Sequence, residues 1–592
     1  MTFSWRRRLR LKWLDYKWLI FSALILVILG LGYTGFSKLY ASLGETRTPL
    51  DILYRTLQLL TLESGFADGI IPWELELARL LAPAVAAYAA LMTLSVIFKK
   101  QFQLLRLRFF KEHLVICGLG RKGVLLAQKF REQGSRVVVI ELDEGNDLVE
   151  QCRESGATVL IGNAASQELL CKARIHKAKY LIAVCGDDGI NAEIAVLAFD
   201  LVGKRKGKVL TCIIHIVEPQ LCRLLEKQEI GTRKIGAFRL EFFNIFDKGA
   251  WSWLGQYSPF LDTEGMRISK PHLLIVGAGR MGMSLIAQAA RKWKESSPNG
   301  NIKICVTIID TKSEAIKKLL DLRYPVVRKS CSLKYLQMDI ESSDFEEARF
   351  LFDKEKKCDI TSIFICLDND SFGLSTALIL HRRTKKYNIP IMVRMARDAG
   401  LARLLHRGEK RDDSYAALHV FGLLDRTCHP EQVLLGTKEI LARAIHEDYR
   451  NRQKKKGETS KTNPSLVSWD ELPEDLQESN RQQADHIGEK LKDMGYDVSE
   501  LENWDEKLFE FAPEEIEMMA KVEHKRWVEE RKRSGWRLGQ KNIKRKKTPY
   551  LIPWDELDEE TKEKDRAPVR NLPFYLREAG YKIYRLDEKD KQ

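Results

Sequence analysis

Two apolar runs in the first hundred residues constrain this chain more than anything else in it. Residues 18–37 (WLIFSALILVILGLGYTGFS) and 80–98 (LLAPAVAAYAALMTLSVIF) carry no charged side chain. At ~1.5 Å rise per residue, runs of this length cross the ~30 Å hydrocarbon core of a bilayer, so the sequence predicts two transmembrane helices. Arg6, Arg7, Arg8, Arg10 and Lys12 precede the first run, and Lys99, Lys100, Arg106, Arg108 and Lys111 follow the second. Basic flanks stay on the cytoplasmic side, which predicts a multi-pass protein of the cell inner membrane with both termini cytoplasmic. A cleaved signal peptide is the alternative for the first run. Its apolar stretch exceeds the usual ~7 to 15 residues, and no A-x-A site follows.

Between the runs, residues 49–62 (PLDILYRTLQLLTL) are too short to span, and their apolar positions recur at helical spacing. Pro49 suits a helix start. The spacing predicts a half-helix, followed by Glu63, Ser64, Gly65, Phe66, Ala67 and Asp68 and then Pro72. Irregular backbone at membrane depth is tolerated where it is buried in protein or lines a water-filled path. Helix, half-helix, short filter and helix together resemble the two-helix potassium channels, whose filter reads T-V-G-Y-G-D. Set on that pattern, Glu63 replaces Thr, Ser64 replaces Val and Ala67 replaces the second Gly. Such a filter aims backbone carbonyls at a dehydrated cation, and its glycines adopt angles that alanine reaches only at a cost. The resemblance therefore implies a monovalent cation path lined by Glu63 to Asp68, with relaxed potassium selectivity. A membrane anchor without a pore is the competing reading.

The remaining chain is far too long for one core, since domains usually hold about 100 to 200 residues. At HLVICGLGRKG an apolar strand runs into Gly118, Gly120, Arg121 and Gly123, then an amphipathic helix, then a strand ending at Glu141. Strand, glycine turn, helix, strand and acid form the dinucleotide fingerprint. The glycines allow a pyrophosphate to approach the helix N-terminus, and the acid accepts hydrogen bonds from a ribose. The pattern recurs at HLLIVGAGRMG with Gly277, Gly279, Arg280, Gly282 and the later acid Asp310. AVCGDDGIN (183–191) has a counterpart in FICLDNDSF (364–372), so this half of the chain is duplicated.

Both copies resemble the RCK family, the regulators of potassium conductance that also occur as TrkA-type nucleotide-binding subunits, over about residues 111–425. In that family a GDAT-like turn follows the acid. The first copy has GNAAS with Asn163, and the second has only KSCS. A later family arginine is present as Arg394, and His215 stands in its place in the first copy. The resemblance implies two Rossmann-like doubly wound units, 111–262 and 270–425. They would bind NAD or another adenine nucleotide as a regulator rather than a redox cofactor. A Rossmann unit that packs without a nucleotide is the alternative for each copy. An NAD-linked oxidoreductase is a third reading, and it lacks a substrate domain with a proton donor.

From about residue 428 the chain turns highly charged, and a second duplication runs beneath the charge. LARAIHEDY parallels MAKVEHKRW, and NPSLVSWDELPEDLQESNRQ parallels TPYLIPWDELDEETKEKDRA. The second copy holds seven extra residues, in the stretch carrying Gly535-Trp536 and a lysine run. Repeats of this kind stack to complete each other's cores. They resemble the RyR repeat of the ryanodine receptor, expected at 428–500 and 505–587 as mainly α units. The second copy keeps His524, Trp527, Trp536, Trp554 and Arg566, and the resemblance implies that these residues hold a small ligand. Core packing is the other explanation for those aromatics.

The net charge of +15 does not point to nucleic acid, because 97 basic residues are interspersed with 82 acidic ones and part of the excess flanks the apolar runs. The 11 cysteines form no C-x-x-C pair or zinc spacing and read as buried, reduced thiols. The fold class expected is thus membrane α followed by α/β, then mainly α repeats. The function expected is a ligand-gated cation channel subunit, a homotetramer in membrane lipid with a nucleotide-sensing ring. Family association adds a role as effector in nucleotide signalling or defence. A pore-less sensor acting on a separate transporter is the rival.

Overall fold

The structure is a computed structural model. It describes the chain except Met1, residues 62–70, 98–104, 203–207, 231–236, 262–265, 297–302, 399–416, 460–462, 502–506 and 587–592, and single residues 354, 356, 534, 541, 543 and 544. Glu63, Ser64, Gly65, Phe66, Ala67 and Asp68 lie outside the described residues. The chain forms two compact units, Met1–Phe109 and Phe110–Gln592.

In the first unit, α1 (Thr2–Ser42) and α3 (Trp73–Ile97) are the long helices, and α2 (Pro49–Gln58) lies between them in sequence. Their apolar windows, Phe21–Ser42 and Trp73–Leu94, are long enough to cross a membrane. The second helix starts seven residues before the apolar run read from sequence, because Glu74, Glu76 and Arg79 hid its first turns. Glu74 is buried and paired with Lys38 of α1. Pro83 sits inside α3, which continues past it as helix. Pro49 opens α2, and the Thr48 hydroxyl accepts from Asp51 N at 3.3 Å, an N-cap that satisfies one orphan donor. The last turn tightens into 3-10 at Leu59–Thr61. Ile52 and Leu59 pack among Ile28, Phe36, Leu39, Leu75 and Ala78. Gly32 and Gly35 permit this closeness. A Cβ on Gly32 would lie 2.8 Å from Thr56 Cγ2, and one on Gly35 would lie 2.7 Å from Leu75 N.

The second unit opens with two all-parallel six-stranded sheets. The first contains β1 (Leu114–Cys117), β2 (Val137–Glu141), β3 (Thr158–Ile161), β4 (Tyr180–Ala183), β5 (Leu210–His215) and β6 (Phe238–Phe243) in the order 3-2-1-4-5-6. The second contains β7 (His272–Val276), β8 (Ile304–Asp310), β9 (Cys331–Gln337), β10 (Ser362–Ile365), β11 (Ile391–Met395) and β12 (Leu418–Gly422) in the same order, 9-8-7-10-11-12. This is the doubly wound Rossmann topology, with continuous Val/Ile/Leu strands because both faces are covered. The two Rossmann units exchange helices. Helix Ile245–Gln256 leaves the first sheet and packs on helix Arg280–Ser296 of the second, while helices Leu423–Thr427 and Pro430–Leu434 pack on helix Arg121–Glu132 of the first. Trp253 fills the shared core, stacked on Phe421 at 4.8 Å and edge-on to Phe364 at 5.4 Å.

The C-terminal region is helical. Its first copy has helices Thr437–Lys455, Glu474–Asp485 and Ile487–Asp493 and strand β13 (Tyr496–Glu500). The second has helices Pro513–Arg533, Glu559–Arg570 and Leu572–Glu578, the two-residue strands β14 (Arg537–Leu538) and β15 (Lys547–Thr548), and β16 (Tyr581–Arg585). The short strands occupy the seven-residue expansion. β13 and β16 pair antiparallel, so the copies share one ribbon and one apolar core. All 11 cysteines are free, but four are not buried as expected: Cys171 is exposed, and Cys185, Cys305 and Cys358 are half-buried.

Candidate functional site

Each Rossmann sheet ends its first strand in a glycine turn that leads straight into a helix. Gly118 and Gly277 take positive φ of 95° and 85°, which other residues rarely adopt. A Cβ on Gly123 would sit 2.0 Å from Gly118 O, and one on Gly282 would sit 2.3 Å from Gly277 O, so the third glycine of each turn closes helix against strand. The middle glycines differ in kind. Gly120 and Gly279 have nothing within 4 Å of a Cβ, and this is the open side on which a phosphate would approach. Gly120 caps its helix without a side-chain hydrogen bond, and Arg121 beside it is exposed.

The two acids expected to meet a ribose also brace the turns. Glu141 Oε2 accepts from Leu119 N at 2.6 Å, and Asp310 Oδ2 accepts from Ala278 N at 2.9 Å. A carboxylate has about four acceptor positions, which leaves capacity for a ribose hydroxyl beside this bond.

Strand register aligns the copies and corrects two sequence pairings. Ala183 and Ile365 hold equivalent ladder positions, opposite Ile214 and Val393, so AVCGDDGIN aligns one residue later than FICLDNDSF suggested. The same register makes Asp188 and Asp370 equivalent. Asp188 accepts Val217 N at 3.0 Å, and Asp370 accepts Ala396 N at 2.9 Å. The counterpart of the Asn163 turn is not KSCS, whose Cys331 begins β9. Gly162 N donates to Glu141 O and Met338 N donates to Asp310 O, which sets Asp339 opposite Asn163. Asn163 Oδ1 accepts Ala165 N at 2.9 Å, and Asp339 Oδ1 accepts Glu341 N at 3.0 Å. The later start of β9 hid this match.

Register also sets His215 against Arg394. Arg394 donates to Leu367 O at 3.0 Å and Asp368 O at 2.7 Å, tying down the turn after β10. His215 is fully buried, and Lys122 Nζ lies 3.3 Å from its Nδ1. Burial first, then the Lys122 charge, pushes the His215 pKa down to about 3, so the imidazole is neutral. Burial also lowers the Lys122 pKa. In the second copy Arg280 lies 3.7 Å from Glu218, a carboxylate contributed by the first copy.

The C-terminal copies repeat one polar network. Trp554 Nε1 donates to Glu517 at 3.0 Å, Arg566 Nε donates to the same carboxylate at 2.6 Å, and the guanidinium lies 5.7 Å from the Trp554 ring. Trp469, Glu439 and Arg481 reproduce it at 3.0, 2.7 and 5.6 Å. His524 Nε2 meets Ile552 O at 2.9 Å, as His446 Nε2 meets Val467 O at 3.0 Å. Asp565 stands 3.2 Å from His524 Nδ1. Burial opposes protonation of His524, but Asp565 and the carbonyl raise its pKa; His446 has its pKa lowered by burial. Trp527 and Trp536 are half-buried and flank the Arg531 guanidinium at 5.6 and 4.9 Å.

With this geometry in view, residues 114–235 match the TrkA-N domain family and residues 507–585 match the RyR domain family. The chain carries a TrkA-N domain and a RyR domain. It is similar to potassium channel protein 1 of Methanocaldococcus jannaschii, 36% identical over 107 residues, covering 17% of this chain and 32% of that one. Probable potassium channel protein 2 of the same organism is 32% identical over 99 residues, covering 16% and 28%. The chain thus spans about a third of the length of the curated relatives it matches. Both relatives bear the names of potassium channel proteins. The solved GsuK channel bound to NAD overlaps 70% of this chain and 83% of its own at 14% identity and a TM-score of 0.35.

Within the TrkA-N domain the structure brings Gly118, Gly120, Arg121, Gly123 and Glu141 to one turn, with Asn163 on the next one. Sequence reading missed Lys122, one residue from the named arginine. In the RyR domain, His524, Trp554 and Arg566 spend their polar groups on the fold, which leaves Trp527 and Trp536 as the two of these five candidates with half-exposed rings. Glu517 was missed. The signal was the duplication itself, since Glu439 and Glu517 hold matching places in the two copies.

Proposed function

We propose that the chain is a subunit of a cation channel of the inner membrane, with a cytoplasmic Rossmann pair that senses a nucleotide. The carrying observation is the short helix α2, packed between two apolar helices through Ile52 and Leu59. A plain anchor needs no such element, whereas a half-helix supported by both spans can hold a filter within the membrane. The two Rossmann units follow the second span after a short stretch of chain, a route by which a change of shape reaches α3.

Nucleotide binding is assigned first to the TrkA-N domain. Its middle glycine is open, and Lys122 hydrogen-bonds a neutral imidazole in place of a carboxylate, a setting that an incoming phosphate improves. NAD or another adenine nucleotide would be a regulator there. A homotetramer is supported by matching exposed apolar pairs on the helices after β4 and β10. Ile190 and Val196 in the first unit fall at the positions of Phe372 and Leu378 in the second, and eight units in a ring would cover them. The repeat pair would serve as an effector's sensor in nucleotide signalling, including defence.

The test is flux through liposomes containing the purified chain. Cation flux that loses its preference over anions in Glu63→Gln supports a path lined by this carboxylate. Absence of flux with and without nucleotide returns the chain to a sensor that acts on another transporter.

A further inference from the structure

A cavity of about 990 Å³ opens between the first Rossmann unit and the first C-terminal repeat, on neither glycine turn and away from the Trp527 and Trp536 rings. Its two walls carry opposite net charge. On the Rossmann wall Lys177, Lys179, Lys208 and Arg239 outnumber Glu112 and Glu241, and on the repeat wall Glu439, Glu474, Asp475 and Glu478 outnumber Lys438, Arg443 and Arg481. Tyr180 lies on the basic side and Trp469 on the acidic side. Several of these charges are already paired: Lys179 meets Glu474 at 3.0 Å and Arg239 meets Glu478 at 2.9 Å across the gap, Lys208 pairs with Glu112, and Glu439 accepts from Arg481 at 2.7 Å. Ligand sites commonly enclose about 300 to 1,000 Å³, so the gap has the volume of one.

The opposed charges select the occupant. A simple anion drawn to the lysines would face the carboxylates, and a polyamine drawn to the carboxylates would face the lysines. A molecule with phosphate at one end and hydrogen-bond donors at the other satisfies both walls, and an aromatic base can lie against Tyr180 or the edge of Trp469. Nucleoside phosphates have this build. Their phosphates meet the basic wall, while ribose hydroxyls and an exocyclic amine donate to the acidic one. We propose that this cavity binds a nucleoside phosphate and clamps the first repeat to the Rossmann pair. The proposal rests on the reading of the C-terminal repeats as a nucleotide sensor and moves the ligand from the second repeat to the boundary of the first.

Equilibrium dialysis of radiolabelled ADP against the full chain in detergent tests it. A chain carrying Gly120→Val and Gly279→Val, which blocks both turns, should retain a class of ADP site. Adding Lys177→Glu and Lys208→Glu, both exposed, should weaken that class at least about tenfold. The same lysine reversals in the parent should spare binding at the glycine turns, which shows that the chain is folded. Loss of all binding in the glycine variant overturns the cavity and leaves the turns as the nucleotide site. Residual binding indifferent to the lysines also overturns it. If the glycine variant binds as the parent does and the lysine reversals abolish binding, the cavity stands and the glycine-turn reading fails.

Discussion

The two Rossmann units have the same strand order and the same braced glycine turn, yet their surroundings differ in charge. Around the first turn, Lys122 faces neutral His215, and the following loop carries neutral Asn163. Around the second, Arg394 is spent on Leu367 and Asp368 carbonyls, Arg280 lies beside Glu218, and the loop carries Asp339. The duplicated elements build the fold, and the divergent ones decide which turn favours an anion. The proposed function therefore assigns the nucleotide to the first unit and makes the second its partner in the core.

The largest effect should be common to both units. Gly123→Ala and Gly282→Ala place a methyl 2.0 and 2.3 Å from a turn carbonyl, so each should cost about 3 kcal/mol or more in chemical denaturation. A variant that keeps parental stability would mean that its turn is looser than described. Next comes the difference between the units. Gly120→Val should lower ADP affinity at the turns about a hundredfold, roughly 2.7 kcal/mol, while Gly279→Val changes it by less than about threefold. Equal losses would make the units equivalent and remove the charge argument.

The smallest effect is one of pH. His215 has a folded-state pKa pushed down to about 3, below its unfolded value, so the unfolded chain takes up the proton first as pH falls. The stability it supplies is present above pH ~6.5 and is lost on acidification toward 3, at about 1.4 kcal/mol per pH unit. The protection factor against hydrogen exchange at β5 should therefore fall between pH 6.5 and 5 relative to that at β11, where Arg394 holds the equivalent place. The same loss in both strands would assign the effect to other groups.

Much of this architecture is legible in the sequence. Period and length exposed the two spans, and the glycine patterns exposed both turns, because those features depend on local backbone and local hydropathy. The start of α3 was not legible, since Glu74 looks like a solvent residue until Lys38 is seen beside it. Asp339 was missed because the second unit reaches β9 through additional helical turns, so sequence spacing no longer tracked the ladder. The Glu517, Trp554 and Arg566 network draws on three separate segments, and only its repetition at Glu439, Trp469 and Arg481 marks it in the sequence. The cavity was the least visible, for it exists only where a basic edge of one domain meets an acidic face of another.

In the proposed function a nucleotide bound in the cytoplasmic region controls a cation path in the membrane. A ligand shifts a two-state channel only by its differential affinity for the two states, so control requires the binding site to be intact. The direct measurement is potassium or sodium flux from liposomes holding the purified chain, titrated with ADP on the cytoplasmic side. The account predicts a dose-dependent change in flux that Gly120→Val displaces to about hundredfold higher concentration, with the unliganded flux unaltered. A parental response with no shift in that variant, or flux that ignores ADP at concentrations where dialysis shows it bound, would contradict it.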